Sequence, residues 1–409
     1  MKRSITLKLY HFLKNDGITV LISIFIFIFF ILFYFSNKVG IHEIIDLTMF
    51  SSIIIAMILA YLSKSFNKFI INRLEDKVKL TEDYVGVLSK YKEDFYYFDN
   101  IKNGCTDKTY RTYFPITQYI ELNNCEIIIH DSKKRYRLPN ELIPYVDELF
   151  SAHDTSDIYN QLCIRVDKWE LDQSNRIFHI YTSRTTYFNS LLTNRVMDFP
   201  LKNGLSVRDL LEFGPFLNDL SDSELSNHIG YNGFIISKDG YIPFVKRKNN
   251  LSIGKNKFGA SINASLKSVK ALEPSTKIFT IEGFVNAILF EIDSELKLPT
   301  DALESFSIQK NLIAAYRDLV EGGKPQFLFY LKSNWNREEI QDNFNVHQRK
   351  TEKSSLVDDG SFLLWIHITE LTSLYLNIDS IIYRKKKYPM THTAVANLGM
   401  FIEFVQNNF

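Results

Sequence analysis

Three glutamates and five basic residues are the side chains whose types and spacing point to chemistry. Glu291 and Glu295 are four residues apart, so on a helix they project from one face, and Glu282 precedes them on the same segment. Paired carboxylates suit Mg²⁺, which takes oxygen ligands and commonly bridges to substrate phosphates. Upstream, residues 232–248 read NGFIISKDGYIPFVKRK. An Asp-Gly turn between alternating apolar runs is a hairpin signal, and this one delivers Lys246, Arg247 and Lys248 at a strand end. Lys255 and Lys257 follow. Residues 241–270 hold seven Lys/Arg and no Asp or Glu, a local field suited to ligand phosphates. The competing reading of the same residues is a solvated loop. A third feature is the Gly322-Gly323-Lys324-Pro325 turn with the strand that follows it, then a helix start at Asn336.

Other chemistries find little support. Cys105, Cys125 and Cys163 are far apart, with no metal-ligand or redox spacing. There is no HExxH, and His130, His179 and His367 sit in apolar, strand-like runs as core or edge residues. The formal net charge is +1, so bulk charge indicates no DNA or RNA duplex as partner. With 33 Phe and 22 Tyr in the chain, a well-filled core is expected rather than disorder.

Strands mixed with a few helices must position these groups, which makes the fold class α+β. Apolar spacing from 66 to about 98 (Phe66, Ile70, Leu74, Val78, Val85, Leu88, Tyr91, Phe95) predicts an amphipathic helical stalk. Short β-rich runs follow around 119–122, 125–130, 161–166 and 176–181, with a helix near 139–152. Further on, the pattern predicts a helix at 207–213, strands at 232–237 and 241–246, a strand near 278–281 and a helix at 283–296. It then predicts a helix over 303–320 and a strand over 326–332. The expected domains are 1–65, 66–100 (stalk), 101–175 (an accessory mixed region) and 176–409.

The first 65 residues set the location. Residues 17–35 and 47–63 carry no charge. Runs of about 18 to 20 such residues match a hydrocarbon core of roughly 30 Å, where a helix satisfies its own backbone. Two transmembrane helices, about 17–36 and 44–63, are therefore expected. Lys2, Arg3, Lys8 and Lys14 flank the first, and Lys64, Lys68, Arg73, Lys77 and Lys79 follow the second, whereas the loop between holds only Lys38. Positive flanks stay inside, which puts both termini and the head in the cytoplasm. Ser52, Ala56, Ala60 and Ser63 line one helix face, where small residues permit close approach. They serve packing within the pair or self-association of the chain.

Residues 178–340 resemble the Nudix hydrolase superfamily. Its box runs Gly, five residues, Glu, seven residues, then Arg-Glu-apolar-any-Glu-Glu-any-Gly-apolar. Glu282, Glu291 and Glu295 fall on its glutamates, and Ile292 and Leu298 on its apolar positions. Tyr187-Phe188-Asn189 and Thr193-Asn194 resemble the lead-in of one subset, and 240–248 its basic strand. Thr276, Phe290, Ser294 and Lys297 stand where the box has Gly, Arg, Glu and Gly. The resemblance implies an α/β/α sandwich behind the transmembrane hairpin. It also implies a weakened Mg²⁺ site on Glu291 and Glu295, and no confident catalytic residue. Two spans plus a degenerate Nudix-like head resemble the transmembrane-Nudix effectors of bacterial CBASS anti-phage systems. This implies a multi-pass protein of the inner membrane that senses a cyclic nucleotide second messenger, needs no cofactor, and disrupts the bilayer in abortive infection. The alternative is a membrane-anchored Nudix pyrophosphatase acting on nucleoside diphosphate derivatives.

Overall fold

The computed structural model describes residues 80–101, 109–153, 160–247, 256–351 and 360–408. Both expected transmembrane runs, and Cys105, Lys248 and Lys255, lie outside these residues. Among the described residues no helix is long and apolar enough to cross a membrane.

The first strands are β1 (Phe95–Ile101), β2 (Thr109–Glu121), β3 (Glu126–Arg135), β4 (Leu162–Asp172) and β5 (Ile177–Thr186). Next come β6 (Gly230–Ile236), β7 (Tyr241–Arg247), β8 (Ile262–Ser265), β9 (Leu312–Asp318) and β10 (Lys324–Lys332). The last are β11 (Gly360–His367), β12 (Tyr375–Asn377), β13 (Ser380–Tyr383) and β14 (Lys386–Pro389). The helices of seven residues or more are α1 (Tyr84–Lys90), α2 (Ile281–Leu296), α3 (Arg337–Thr351) and α4 (His392–Asn408). The fold is α+β.

Six strands form the central sheet in the order β1-β2-β9-β10-β6-β8. The β10–β6 pair is parallel and the other pairs are antiparallel. Its strands are apolar on both faces, and the period of two sorts them cleanly. Tyr231, Ile235, Ala315, Phe327, Phe329 and Leu331 join one cluster with Phe284, Ile288 and Ile292 of α2. Ile164, Val166, Phe178 and Ile180 of the small sheet β3-β5-β4 complete it. Phe234, Ile236, Ala314, Tyr316 and Leu328 face the other way, packed with Leu398, Phe401 and Ile402 of α4. At Gly233 a Cβ would lie 2.1 Å from the Phe329 ring, so this position must lack one for β6 and β10 to pack as they do.

Several expectations are corrected. The stalk reading fails over its described part: α1 ends at Lys90, and Phe95–Ile101 is a strand at the edge of the central sheet. In place of the helix expected over 303–320 there is a helical turn, Ile308–Asn311, followed by strand β9, buried along its whole length. Continuous burial removes the alternation that would have distinguished the two. Residues 278–281 make only an isolated bridge, Phe279 to Leu272, before α2 begins. No boundary falls near 175, because 78–151 and 158–409 make one compact unit.

The 238–240 turn is present, with Gly240 at φ +79°, but β6 and β7 do not stay paired. β6 remains in the central sheet, and β7 pairs with β11. Ser261 bridges the opening: its Oγ donates to the Pro243 carbonyl at 2.7 Å and accepts from the Ile235 N–H at 3.1 Å. Pro243 has no N–H for a ladder, which favours such a split.

A candidate carboxylate–ammonium site and a basic strand end

Helix α2 carries the carboxylates, and both its ends are specified locally. Thr280 caps the start by accepting from the Gly283 N–H at 3.1 Å. Gly283 sits where a Cβ would be 1.9 Å from the Ala271 carbonyl oxygen, so the residue-268–271 helix can press against α2 only at a glycine. At the other end Lys297 is left-handed, φ +59°, and Asn343 of α3 donates to its carbonyl.

Glu291 and Glu295 share the buried face of α2, as the four-residue spacing predicts, at 6% and 9% exposure. Glu295 Oε2 accepts from the Asn263 N–H of β8 at 3.2 Å. Glu291 is taken up by Lys267, whose Nζ lies 3.0 Å from Oε1 and 3.3 Å from Oε2. The backbone around Lys267 is fixed by an isolated bridge to Cys163 and by the Leu266 N–H donating to the Ile229 carbonyl at 2.9 Å. Beneath the pair, the fully buried Tyr231 hydroxyl has its pKa pushed well above the ordinary phenol value, first by burial and then by the two carboxylates.

Mg²⁺ does not fit this arrangement. The ammonium of Lys267 holds the space against Glu291 that a divalent ion would take. Glu282 is exposed on the first turn of α2, nine residues and therefore about 13 Å along the axis from Glu291. Among the described residues no three His, Cys, Asp or Glu converge as metal ligands. Phe290, where the resemblance expects Arg, is 40% exposed, with the Lys270 ammonium 4.5 Å from its ring centre.

The basic residues gather at the far end of β7. Lys246 and Arg247 are half-buried there, turned to opposite faces by the strand alternation. On one side they pair with Phe362 and Gly360 of β11. On the other, the Arg247 N–H donates to the Lys257 carbonyl at 3.0 Å. The Lys257 ammonium contacts Glu82 Oε1 at 2.7 Å, so part of its charge is already matched. Lys248 and Lys255 are outside the described residues.

The remaining motif residues are structural. Asn194 is buried, its Nδ2 donating to the Glu321 carbonyl at 2.8 Å and its Oδ1 accepting from the Asn227 N–H at 3.0 Å. Thr193 Oγ accepts from the Ser226 N–H at 3.2 Å. His130 and His179 meet at 3.0 Å across β3 and β5, and His367 contacts Thr369 and the Asp239 carbonyl. Cys125 and Cys163 are buried and unbridged. Asn336 caps α3, accepting from the Glu339 N–H at 3.0 Å while its own N–H donates to Glu339 Oε2 at 2.7 Å.

Sequence reasoning missed Lys267 and the run Arg384-Lys385-Lys386-Lys387. The four consecutive cations were a visible signal. Lys267 was one more lysine in a basic stretch, and only the packing of β8 on α2 singles it out.

No protein-family model matches the chain, and no curated protein matches it. Among solved structures, that of DR0079 from Deinococcus radiodurans covers 35% of this chain and 69% of its own, at 16% identity and a TM-score of 0.20. A likeness that distant carries no argument.

Proposed function

We propose that this chain is a membrane-anchored sensor: the effector of a CBASS anti-phage system, whose cytoplasmic Nudix-like head binds a cyclic nucleotide and whose spans then disrupt the bacterial inner membrane. The observation that carries the sensor reading is the ammonium of Lys267 against Glu291. A Nudix hydrolase uses its box carboxylates to hold a divalent ion against substrate phosphates. Here a tethered cation takes that place, leaving a fold able to bind phosphates without the ion that would help cleave them. Binding needs only the positive field of Lys246 and Arg247, with Lys248, Lys255 and Lys257 as further contributors.

Three features support the Nudix-like placement: a mixed sheet flanked by helices on both faces, the carboxylate pair on the inner face of α2, and the left-handed Lys297 where the box has its last glycine. A ligand shifts an assembly equilibrium only by its differential affinity for the two states. The small-residue face of the second span gives that assembly a route. The test is calorimetry of the full chain in detergent against a panel of cyclic di- and trinucleotides, alongside turnover assays on nucleoside diphosphate derivatives with Mg²⁺. Binding of one cyclic nucleotide without turnover is expected. Turnover near 10 s⁻¹, about the median for enzymes, would establish the pyrophosphatase reading instead.

A further inference from the structure

The β13–β14 hairpin carries its charge at the tip. Tyr383 to Pro389 reads YRKKKYP, four cations and no acid. Arg384 and Lys385 both have positive φ, +49° and +63°, the twist of a tight two-residue hairpin turn. That turn thrusts all four side chains into solvent, and each residue is exposed. Lys386 lies 5.2 Å from the Tyr388 ring centre and Arg384 lies 5.0 Å from that of Tyr383. Of these four, only Arg384 is drawn into an ion pair with a described residue, Glu370 at 2.8 Å.

The place of this hairpin matters as much as its charge. The second uncharged run ends at Ser63, and the described body starts at residue 80. Glu82, just inside that start, is held by Lys257 at 2.7 Å, and the neighbouring Phe258 N–H donates to the Pro389 carbonyl at the end of β14, at 2.9 Å. Tyr84 packs on His392 with ring centres 5.5 Å apart. Two separate contacts thus fasten the first described residues to the foot of the basic hairpin.

We infer that the Arg384–Lys387 tip docks on the phosphate headgroups of anionic phospholipids in the leaflet facing the head. A soluble nucleotide needs a concave pocket with converging groups. A convex tip of consecutive lysines instead matches a flat anionic surface. The inference rests on the expected membrane spans, though not on the identity of any nucleotide. Each basic residue near an anionic leaflet favours contact about fivefold, so Lys385, Lys386 and Lys387 together favour it on the order of a hundredfold.

The experiment is amide hydrogen exchange of the full chain in nanodiscs of phosphatidylcholine with and without phosphatidylglycerol. Exchange over residues 383–388 is expected to slow, by up to about a hundredfold, only with the anionic lipid. The triple variant Lys385→Asn, Lys386→Ala, Lys387→Ala should abolish that difference; Asn is used at 385 because it tolerates positive φ. Equal exchange in the two lipids, with the chain incorporated, would overturn the docking. Slowing by inorganic pyrophosphate in neutral lipid would overturn it in favour of a soluble phosphate site. Failure of the chain to enter nanodiscs at all would overturn the spans, and the docking with them.

Discussion

Replacing Lys267 with Met keeps the length of the side chain and removes its charge, so Glu291 loses the cation it faces. At 3.0 Å two unit charges attract by about 1.4 kcal/mol in bulk water and about 5.5 kcal/mol at an effective dielectric of 20. Lys267 keeps 33% of its side chain in water while Glu291 keeps only 8%. Solvent screening on the lysine side therefore pulls the value toward the lower bound. A cost of about 2 kcal/mol follows, a fall of about 3 °C in melting temperature for a body of this size. Trp169, packed against the core that contains α2, reports unfolding by fluorescence in detergent. Met keeps the space filled and, among the described residues, no further ligands converge there, so the change should not create a divalent-ion site. Mg²⁺ at a hundred times a dissociation constant would return about 2.7 kcal/mol, so the melting temperature of the variant should stay lowered in Mg²⁺. The reasoning is refuted if Lys267→Met melts with the parent, or if Mg²⁺ restores the melting temperature of the variant.

Other outcomes follow from particular contacts. Gly283→Ala should destabilise by roughly 1–3 kcal/mol through overpacking on the Ala271 carbonyl, despite the better helix propensity of Ala; a denaturant midpoint checks it. Burial of Lys324 beside Arg195 lowers its pKa to about 8 from an ordinary 10.5, so between those values the unfolded chain binds more protons and stability rises with pH. Lys324→Met should lose that rise, read from melts between pH 7 and pH 10, with Glu321 still paired to Arg195 at 3.3 Å. Lys246→Ala and Arg247→Ala should each weaken binding of the cyclic nucleotide about tenfold, the worth of a charged hydrogen bond. Unchanged calorimetric affinity in both would move the ligand elsewhere.

What could be read in the sequence depended on whether the signal was local. The four-residue spacing put Glu291 and Glu295 on one face, and burial of that face followed from the apolar residues around them. The 238–240 turn was equally legible, since its Asp-Gly chemistry is confined to the turn. The partners of the strands it joins were not, because β6 and β7 are parted by Ser261, which lies 18 residues beyond Pro243. Leu312–Asp318 has no polar face to betray its period, and a run of that kind reads equally as helix or strand until its neighbours are known. Lys267 acquired meaning only when α2, whose Glu291 lies 24 residues further along the chain, packed against β8.

The order of the central sheet has a consequence for how the protein is made. Ile116 of β2 is paired with Asp318 of β9, so about two hundred residues must be synthesised before the edge of β2 that does not face β1 has its partner. The far face of the sheet stays uncovered until α4 has emerged as well. Such long-range closure is slow compared with local pairing, and an unpaired strand is an edge on which other chains can add. On the ribosome, the inner edge of β2 is therefore unpaired for about half of translation. A chain halted before residue 312 would release that edge with nothing to cover it.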